Sequence, residues 1–234
     1  MTFSLPPGKL IQIDLDPHEI GKNYPVEVGI LSDAKPTLAD LHAAIGSSAG
    51  DTSAQLEELK KLKADWVEQE AKRSGSDQTP FTSQRPLRDL RAAMERNGIV
   101  VAGSGNTQGA VKQSFEVYEP RTHMTSGGYS SMGWAVPAAI GAKLAQPDKQ
   151  VAGVVGDGDF LQTAQELGVT AQHGIPVVFV VQNNGGYMSI RGGQRKIMDR
   201  HLLSEFTEFS RNGGDEAYSV DVTAIAKGFG VPAE

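Results

Sequence analysis

Val151-Ala152-Gly153-Val154-Val155 runs directly into Gly156-Asp157-Gly158-Asp159-Phe160, and Val177-Val178-Phe179-Val180-Val181 runs into Gln182-Asn183-Asn184-Gly185-Gly186. Short, uninterrupted valine-rich runs read as strands buried on both faces, the habit of parallel sheets. Around them the chain alternates. Further strands are expected at 11–14, 27–30, 99–102 and near 121–123. Helices are expected at 36–45, 54–73, 86–96, 107–116, 132–144, 162–173 and 222–228. Strands alternating with helices at 3.6-residue periodicity imply an α/β fold, a parallel sheet flanked by helices on both faces. In an open sheet of this kind, ligands bind at the carboxyl ends of the strands. Asp157 and Asn184 both stand at such ends, so the two polar clusters can face one crevice.

Composition narrows the chemistry. The chain has 234 residues, 27 glycines and no cysteine, with a net charge of -6. The absence of cysteine excludes a disulfide scaffold, a zinc–thiolate centre, an iron–sulfur cluster and a cysteine nucleophile. The acidic balance argues against a nucleic-acid partner, which calls for a basic field. Glycine, about 12% of the chain against an average of about 7%, is used in tight turns and wherever backbone must approach a ligand. The N-terminal stretch Met1-Thr2-Phe3-Ser4-Leu5-Pro6-Pro7 has no signal-peptide pattern, and the longest strongly apolar run, at 177–181, is too short for a membrane helix. The expectation is a soluble, cytoplasmic protein without membrane partners. The strand at 11–14 has no earlier partner, and an amphipathic pattern (Val222, Ile225, Ala226, Phe229) is followed by only a few residues. The sequence reads as though cut at both ends.

Gly46-Ser47-Ser48-Ala49-Gly50 and Ser74-Gly75-Ser76-Asp77 have linker composition and bracket the helix at 54–73. Leu56, Leu59, Leu62 and Trp66 form one stripe on it, expected to pack on a neighbouring element. The chain therefore divides into a remnant of a second, Rossmann-like domain (1–46), a linker helix (47–80) and a main α/β domain (81–234).

Asp157 offers a hard anionic oxygen, Asn184 a neutral carbonyl oxygen, and the backbone at Gly185 and Gly186 a further carbonyl. Oxygen-only ligands suit Mg²⁺ or Ca²⁺, and Mg²⁺ commonly completes its shell with phosphate oxygens. Gly156 and Gly158 would let the backbone approach such an anion, and a helix starting near Gln162 would offer its N–H groups. Taken singly, either glycine cluster is an ordinary turn. Together, after two buried strands, they mark a site.

The pair of motifs at this spacing resembles the signature of thiamine-diphosphate-dependent enzymes, and more closely the acetolactate-synthase-like group. Thr125-Ser126-Gly127-Gly128-Tyr129-Ser130-Ser131-Met132-Gly133-Trp134-Ala135 resembles that group's glycine-rich loop and following helix, and 10–34 the end of its central, nucleotide-binding-like domain. The resemblance implies that thiamine diphosphate and Mg²⁺ are bound, the metal held by Asp157, Asn184 and the Gly186 carbonyl. It implies a cofactor site made of Gly105, Asn106, Thr107, Gly128, Ser130, Met132, Gly156, Asp157, Gly158, Asp159, Asn184, Gly186, Tyr187 and Met188. Two of these would have catalytic roles. Met132 would prop the thiazolium against the aminopyrimidine in a bent cofactor, and the Ser130 carbonyl would receive the 4′-amino group.

The implied activity is that of a 2-oxo acid decarboxylase or carboligase. C2 of the thiazolium attacks the 2-oxo group, cleavage leaves an enamine, and the enamine is protonated or joined to a second carbonyl. The family's catalytic glutamate belongs to a pyrimidine-binding domain of the same or another subunit, within a homodimer or homotetramer. No stretch of this sequence matches that domain, so this chain alone is expected to be inactive; Glu166 and Glu205 are not substitutes. The resemblance leaves room for FAD in the parent protein, through acidic positions matching Asp14 and Asp33. Ser189, Ile190 and Arg191 would line the substrate side, with Arg191 facing a substrate carboxylate or forming an ordinary ion pair. Where acetolactate synthases carry a tryptophan, this chain has Gly193. The stretch 206–218, including Arg211-Asn212-Gly213-Gly214-Asp215, reads as a loop over the site.

Two alternatives fit the sequence as well. Gly103-Ser104-Gly105-Asn106-Thr107-Gln108-Gly109 follows a strand, as a dinucleotide fingerprint would, but its third glycine is one place late for G-x-G-x-x-G. A non-catalytic cofactor-binding module would also fit the missing glutamate.

Overall fold

The computed structural model describes residues 8–46, 50–200, 203–208 and 216–234. The chain forms two compact units, Met1–Lys63 and Ala64–Glu234. The first holds two parallel strands, β1 (Ile11–Asp14) and β2 (Val28–Leu31), paired Ile11 to Val28 through Asp14 to Leu31, and helix α1 (Ala34–Ile45). Gln12 braces the connection between the strands. Its amide donates to the Glu19 carbonyl at 2.8 Å and accepts from the Gly21 N–H at 2.8 Å.

Helix α2 (Ser53–Ser74) crosses the division between units. It buries no residue, and Leu56, Leu59, Leu62 and Trp66 are all exposed. The expected packing of this stripe on a neighbour is therefore not what forms. The helix is carried instead by good helix formers and by ion pairs one turn apart, Lys60 with Glu57 and Lys72 with Glu68.

The second unit continues with α3 (Gln84–Ala93), β3 (Ile99–Ala102), α4 (Asn106–Ser114), β4 (His123–Thr125), α5 (Ala135–Ala145) and β5 (Val151–Gly156). The short turn α6 (Asp157–Phe160), α7 (Leu167–His173), β6 (Val178–Gln182) and α8 (Met188–Met198) follow. A two-residue antiparallel ribbon, β7 (Thr207–Glu208) with β8 (Glu216–Ala217), precedes α9 (Val222–Gly228). The sheet order is β4-β3-β5-β6, and every pairing is parallel.

Both faces of the central strands β3 and β5 are covered, and the alternation along them shows how; β6, expected from its apolar run to be buried on both faces, is an edge strand with Val178 exposed and the rest only partly buried. Val100 and Ala102 of β3 and Val154 of β5 turn to one side, where Leu87 of α3 and Val111 of α4 meet them with Phe115. Ile99, Val101, Val151 and Val155 turn to the other, onto Ala135, Val136, Ala139 and Ile140 of α5, Leu167 of α7 and Ala226 of α9. A strand buried on both faces has no position for a polar side chain. This is why 151–155 reads as one apolar run and why the first polar residues appear where the strand leaves the sheet.

Several element bounds differ from the sequence expectation, each for a local reason. The helix expected from Met132 starts at Ala135, because Gly133 has φ +78 and its N–H is drawn to the Asp159 carboxylate. The helix expected over 162–173 is interrupted. A turn of α-helix at 157–160 is followed by a 3₁₀ turn, Ala164–Glu166, and only then by α7, because Thr163 between them has φ -140. The strand near 121–123 begins at His123, after Arg121 with φ 62. No helix among the described residues is long and apolar enough to cross a membrane.

Leu87 is fully buried under the sheet. Replacing it by alanine is expected to lower the unfolding free energy by about 2–5 kcal/mol through lost transfer energy and the remaining cavity. Urea denaturation of Leu87→Ala beside the native chain checks this, and an unchanged midpoint would contradict the packing described.

Candidate functional site

The carboxyl ends of β3, β5 and β6 open into a cavity of about 390 Å³. Four short segments wall it: 104–108 after β3, Ser130 and Met132 before α5, 156–159 after β5, and Asn184 with 186–190 after β6. Sequence-expected residues Gly105, Asn106, Thr107, Ser130, Met132, Gly156, Asp157, Gly158, Asp159, Asn184, Gly186, Tyr187 and Met188 all lie on this wall. Gly128 does not: it belongs to the turn that leads to Ser130 and lies outside the lining set.

Asp157 is 1% exposed and is the junction of two strand ends. Its Oδ2 accepts three successive backbone N–H groups, from Asn184 (3.1 Å), Gly185 (2.7 Å) and Gly186 (3.1 Å). Its Oδ1 accepts the N–H of Gly158 at 2.8 Å. A carboxylate has about four acceptor positions on its two oxygens. Oδ2 is saturated by the turn, while Oδ1 carries one bond and keeps acceptor capacity. The two asparagines after β6 are separated in role. Asn183 turns its amide to Ser219 Oγ at 3.0 Å and takes the Gly185 N–H on its own oxygen, while Asn184 lines the cavity. The Gly186 carbonyl accepts the Met188 N–H at 3.1 Å, and Gly186 forms an antiparallel bridge with Glu205.

Asp159, 4% exposed, is the second acid on the wall. Its Oδ2 accepts the Ser104 N–H at 2.7 Å and its Oδ1 accepts the Gly133 N–H. From the sequence, the backbone at 158–159 is expected to face a diphosphate. The structure adds a role for the side chain, which ties the loop after β3 to the loop before α5. Those partners lie 55 and 26 residues away, and no local pattern announces them.

Met132 reaches the wall with its Sδ accepting from the Gln162 amide at 3.8 Å. The Ser130 carbonyl accepts the Ser104 hydroxyl at 2.5 Å, and Ser130 Oγ is buried with no partner among the described residues. Tyr187 stands edge-on to Phe206, with centroids 5.3 Å apart at 88°. Arg191 is paired with Glu205 at 2.5 Å, the ion-pair alternative of the two expected for it, and is not on the cavity wall. Ser189 and Ile190 are. In the first unit, Asp33 accepts the Lys35 N–H as the N-cap of α1, and Asp14 accepts the Asp16 N–H. Of the stretch 206–218 expected as a loop, 207–208 and 216–217 pair instead as the short ribbon β7–β8, and 209–215, with the glycines, lie outside the described residues.

Helix α8 was not foreseen from the sequence. Gly192 and Gly193 sit in its middle, where two glycines argue against a helix. The signal that could have found it is the polar–apolar spacing of Met188, Ile190, Arg191, Gln194 and Ile197.

The wall presents oxygen donors and backbone N–H groups. Among the described lining residues there are two carboxylates and no lysine, arginine or histidine. The first-turn N–H groups of α4, at 106–108, have no partner within their own helix and lie at the cavity. An oxygen-binding divalent cation with a phosphate-bearing ligand fits this donor set. The carboxylate supplies hard charge, and the helix N-terminus supplies backbone donors for an anion.

Comparison with known proteins gives matches along most of the chain. Residues 103–234 match the family model for thiamine pyrophosphate enzyme, C-terminal TPP binding domain, and residues 2–41 that for thiamine pyrophosphate enzyme, central domain. A probable acetolactate synthase large subunit of Methanocaldococcus jannaschii is 38% identical over 79% of this chain and 32% of its own length. The acetolactate synthase large subunit of Corynebacterium glutamicum is 36% identical over 98% of this chain and 36% of its own. The glyoxylate carboligase of Escherichia coli O157:H7 is 30% identical over 96% and 38% respectively. The chain spans about a third of the length of these curated relatives.

The Asp159 tie can be tested at Gly103. A Cβ there would lie 2.2 Å from Asp159 Oδ2 and 3.2 Å from Val155 Cα. Gly103→Ala must push the carboxylate off its two N–H donors. The expected cost is about 1–3 kcal/mol, as for an overpacked core, read by urea unfolding. A variant as stable as the native chain would show that the tie contributes nothing.

Proposed function

The chain belongs to the thiamine pyrophosphate enzymes, and we propose that its cavity binds thiamine diphosphate through Mg²⁺ for a 2-oxo acid decarboxylase or carboligase of the acetolactate-synthase kind. The observation that carries this reading is the setting of Asp157. Three N–H groups from the end of β6 hold one of its oxygens, so the other stays available at the end of β5. Asp157, Asn184 and the Gly186 carbonyl would hold the metal. The absence of any cationic side chain among the described lining residues supports the metal's necessity: two buried carboxylates would repel a diphosphate unless a divalent cation stood between them.

When bound, thiamine diphosphate supplies a nucleophilic carbon that adds to a 2-oxo group and takes up the electron pair left by cleavage. The chain's own residues bind and orient. The backbone at Gly105, Asn106 and Thr107 and at Gly156, Gly158 and Asp159 would face the diphosphate. Tyr187 and Met188 would close the metal side. Met132 would prop the ring system, and the Ser130 carbonyl would accept an N–H from the amino-bearing ring. Relatives named acetolactate synthase and glyoxylate carboligase support carboligation as the outcome.

The same reading makes 1–46 the tail of the central domain, 47–80 a linker and 81–234 the cofactor domain. A pyrimidine-binding domain of the same or another subunit would supply the catalytic glutamate, in a cytoplasmic homodimer or homotetramer that has room for FAD. By itself this chain would bind the cofactor without turnover.

Calorimetry tests the assignment. The native chain is expected to bind thiamine diphosphate with Mg²⁺ and to give little heat without it, and Asp157→Ala to bind at least tenfold more weakly. Equal heats for the two proteins would sink the site. Mixing the chain with a separately expressed pyrimidine-binding domain and following pyruvate consumption then separates an enzyme from a module that only binds: cofactor bound with no consumption favours the module.

A further inference from the structure

Ser104 has no role in the family likeness, yet it makes two bonds at the cavity wall. Its N–H donates to Asp159 Oδ2 at 2.7 Å and its hydroxyl donates to the Ser130 carbonyl at 2.5 Å. The acceptor is unusual. Ser130 has φ +53 and closes a turn in which Gly127 and Gly128 have φ +55 and φ +40; its N–H donates to the Gly127 carbonyl at 2.7 Å. A serine in left-handed backbone is held there by its surroundings rather than by its own preference. The direction of its carbonyl therefore depends on the bonds it makes, and the Ser104 hydroxyl is one that acts on that oxygen directly.

The other end of the same segment is tied as well. Asp159, which holds the Ser104 N–H, also takes the Gly133 N–H. Ser104 and Asp159 thus fasten Ser130 and Gly133 to the end of β3, with Met132 carried between the two fastened points. A carbonyl oxygen has two lone pairs. With one given to Ser104, the other is left for a donor in the cavity.

We propose that Ser104 is a positioning residue whose hydroxyl aims the Ser130 carbonyl at an amino N–H of the cofactor's pyrimidine ring. This rests on the cofactor reading above. It makes Ser104 a determinant of which ring the cavity prefers, an amino-bearing one over its oxo analogue. An oxo group would face the carbonyl oxygen with no proton to share.

The test is calorimetry of the whole chain with Mg²⁺ and three probes: thiamine diphosphate, oxythiamine diphosphate (oxo in place of amino) and inorganic pyrophosphate. The native chain should prefer the amino ligand to the oxo ligand. Ser104→Ala should reduce that preference about tenfold, the effect of one well-placed hydrogen bond, while pyrophosphate affinity stays within twofold. Ser104→Thr, which keeps the hydroxyl, should restore the preference.

An unchanged preference in Ser104→Ala overturns the proposal, as does failure of Ser104→Thr to restore it. Equal loss of pyrophosphate binding overturns it too, by making Ser104 a structural prop. A native chain that binds pyrophosphate but treats the two rings alike refutes the role of Ser104 and leaves the diphosphate site standing. A native chain that binds none of the three removes the cofactor reading, and this inference with it.

Discussion

One carboxylate joins the two strand ends on which the cavity depends. Asp157 ends β5, and the turn after β6 wraps its Oδ2 with the N–H groups of Asn184, Gly185 and Gly186. Three donors converging on one buried oxygen form a charge-assisted set, stronger than neutral bonds of the same number. They also settle a problem of sheet ends. Backbone N–H groups that leave the ladder need acceptors, and here a single side chain satisfies three. The strand pairing of β5 with β6 brings the acid and the turn together, and the acid then fixes the turn.

The second acid does the same for two other loops of the wall. Asp159 gathers N–H groups from the loops at Ser104 and Gly133. The four wall segments are thereby joined through 156–159, Asp157 tying it to the turn after β6 and Asp159 tying it to the loops after β3 and before α5. These polar junctions hold the wall segments to one another. Yet the acids sit above two well-filled layers, with Val155 at one face of the sheet and Val154 at the other.

The fold was legible in the sequence to the extent that burial on both faces writes itself as unbroken apolar runs. The runs at 99–102 and 151–155 mark the buried strands β3 and β5, whereas the run at 177–181 marks β6, an edge strand that is only partly buried, with Val178 exposed; all are parallel. The crevice was legible because Asp157 is the first polar residue past one such run and Asn184 belongs to the polar cluster that follows another. Other features were not. The carboxylate of Asp159 meets partners 55 and 26 residues away, and a single sequence does not show contacts of that reach. Helix α8 was hidden by Gly192 and Gly193, whose low helix propensity is overridden in the folded chain. The leucine stripe of α2 pointed to a covered face, and the structure leaves it exposed.

The way the wall is assembled couples recognition to folding. Segments near 104, 130, 157 and 186 converge only when β3, β5 and β6 lie side by side, so the unfolded chain holds no part of the cavity. Any ligand that occupies it binds the native state alone. Mass action then adds RT ln(1 + [L]/Kd) to the stability, about 2.7 kcal/mol at a hundredfold excess over Kd. Where the ligand is scarce, the same linkage would shift the chain toward unfolding, so the folded fraction would follow the ligand supply.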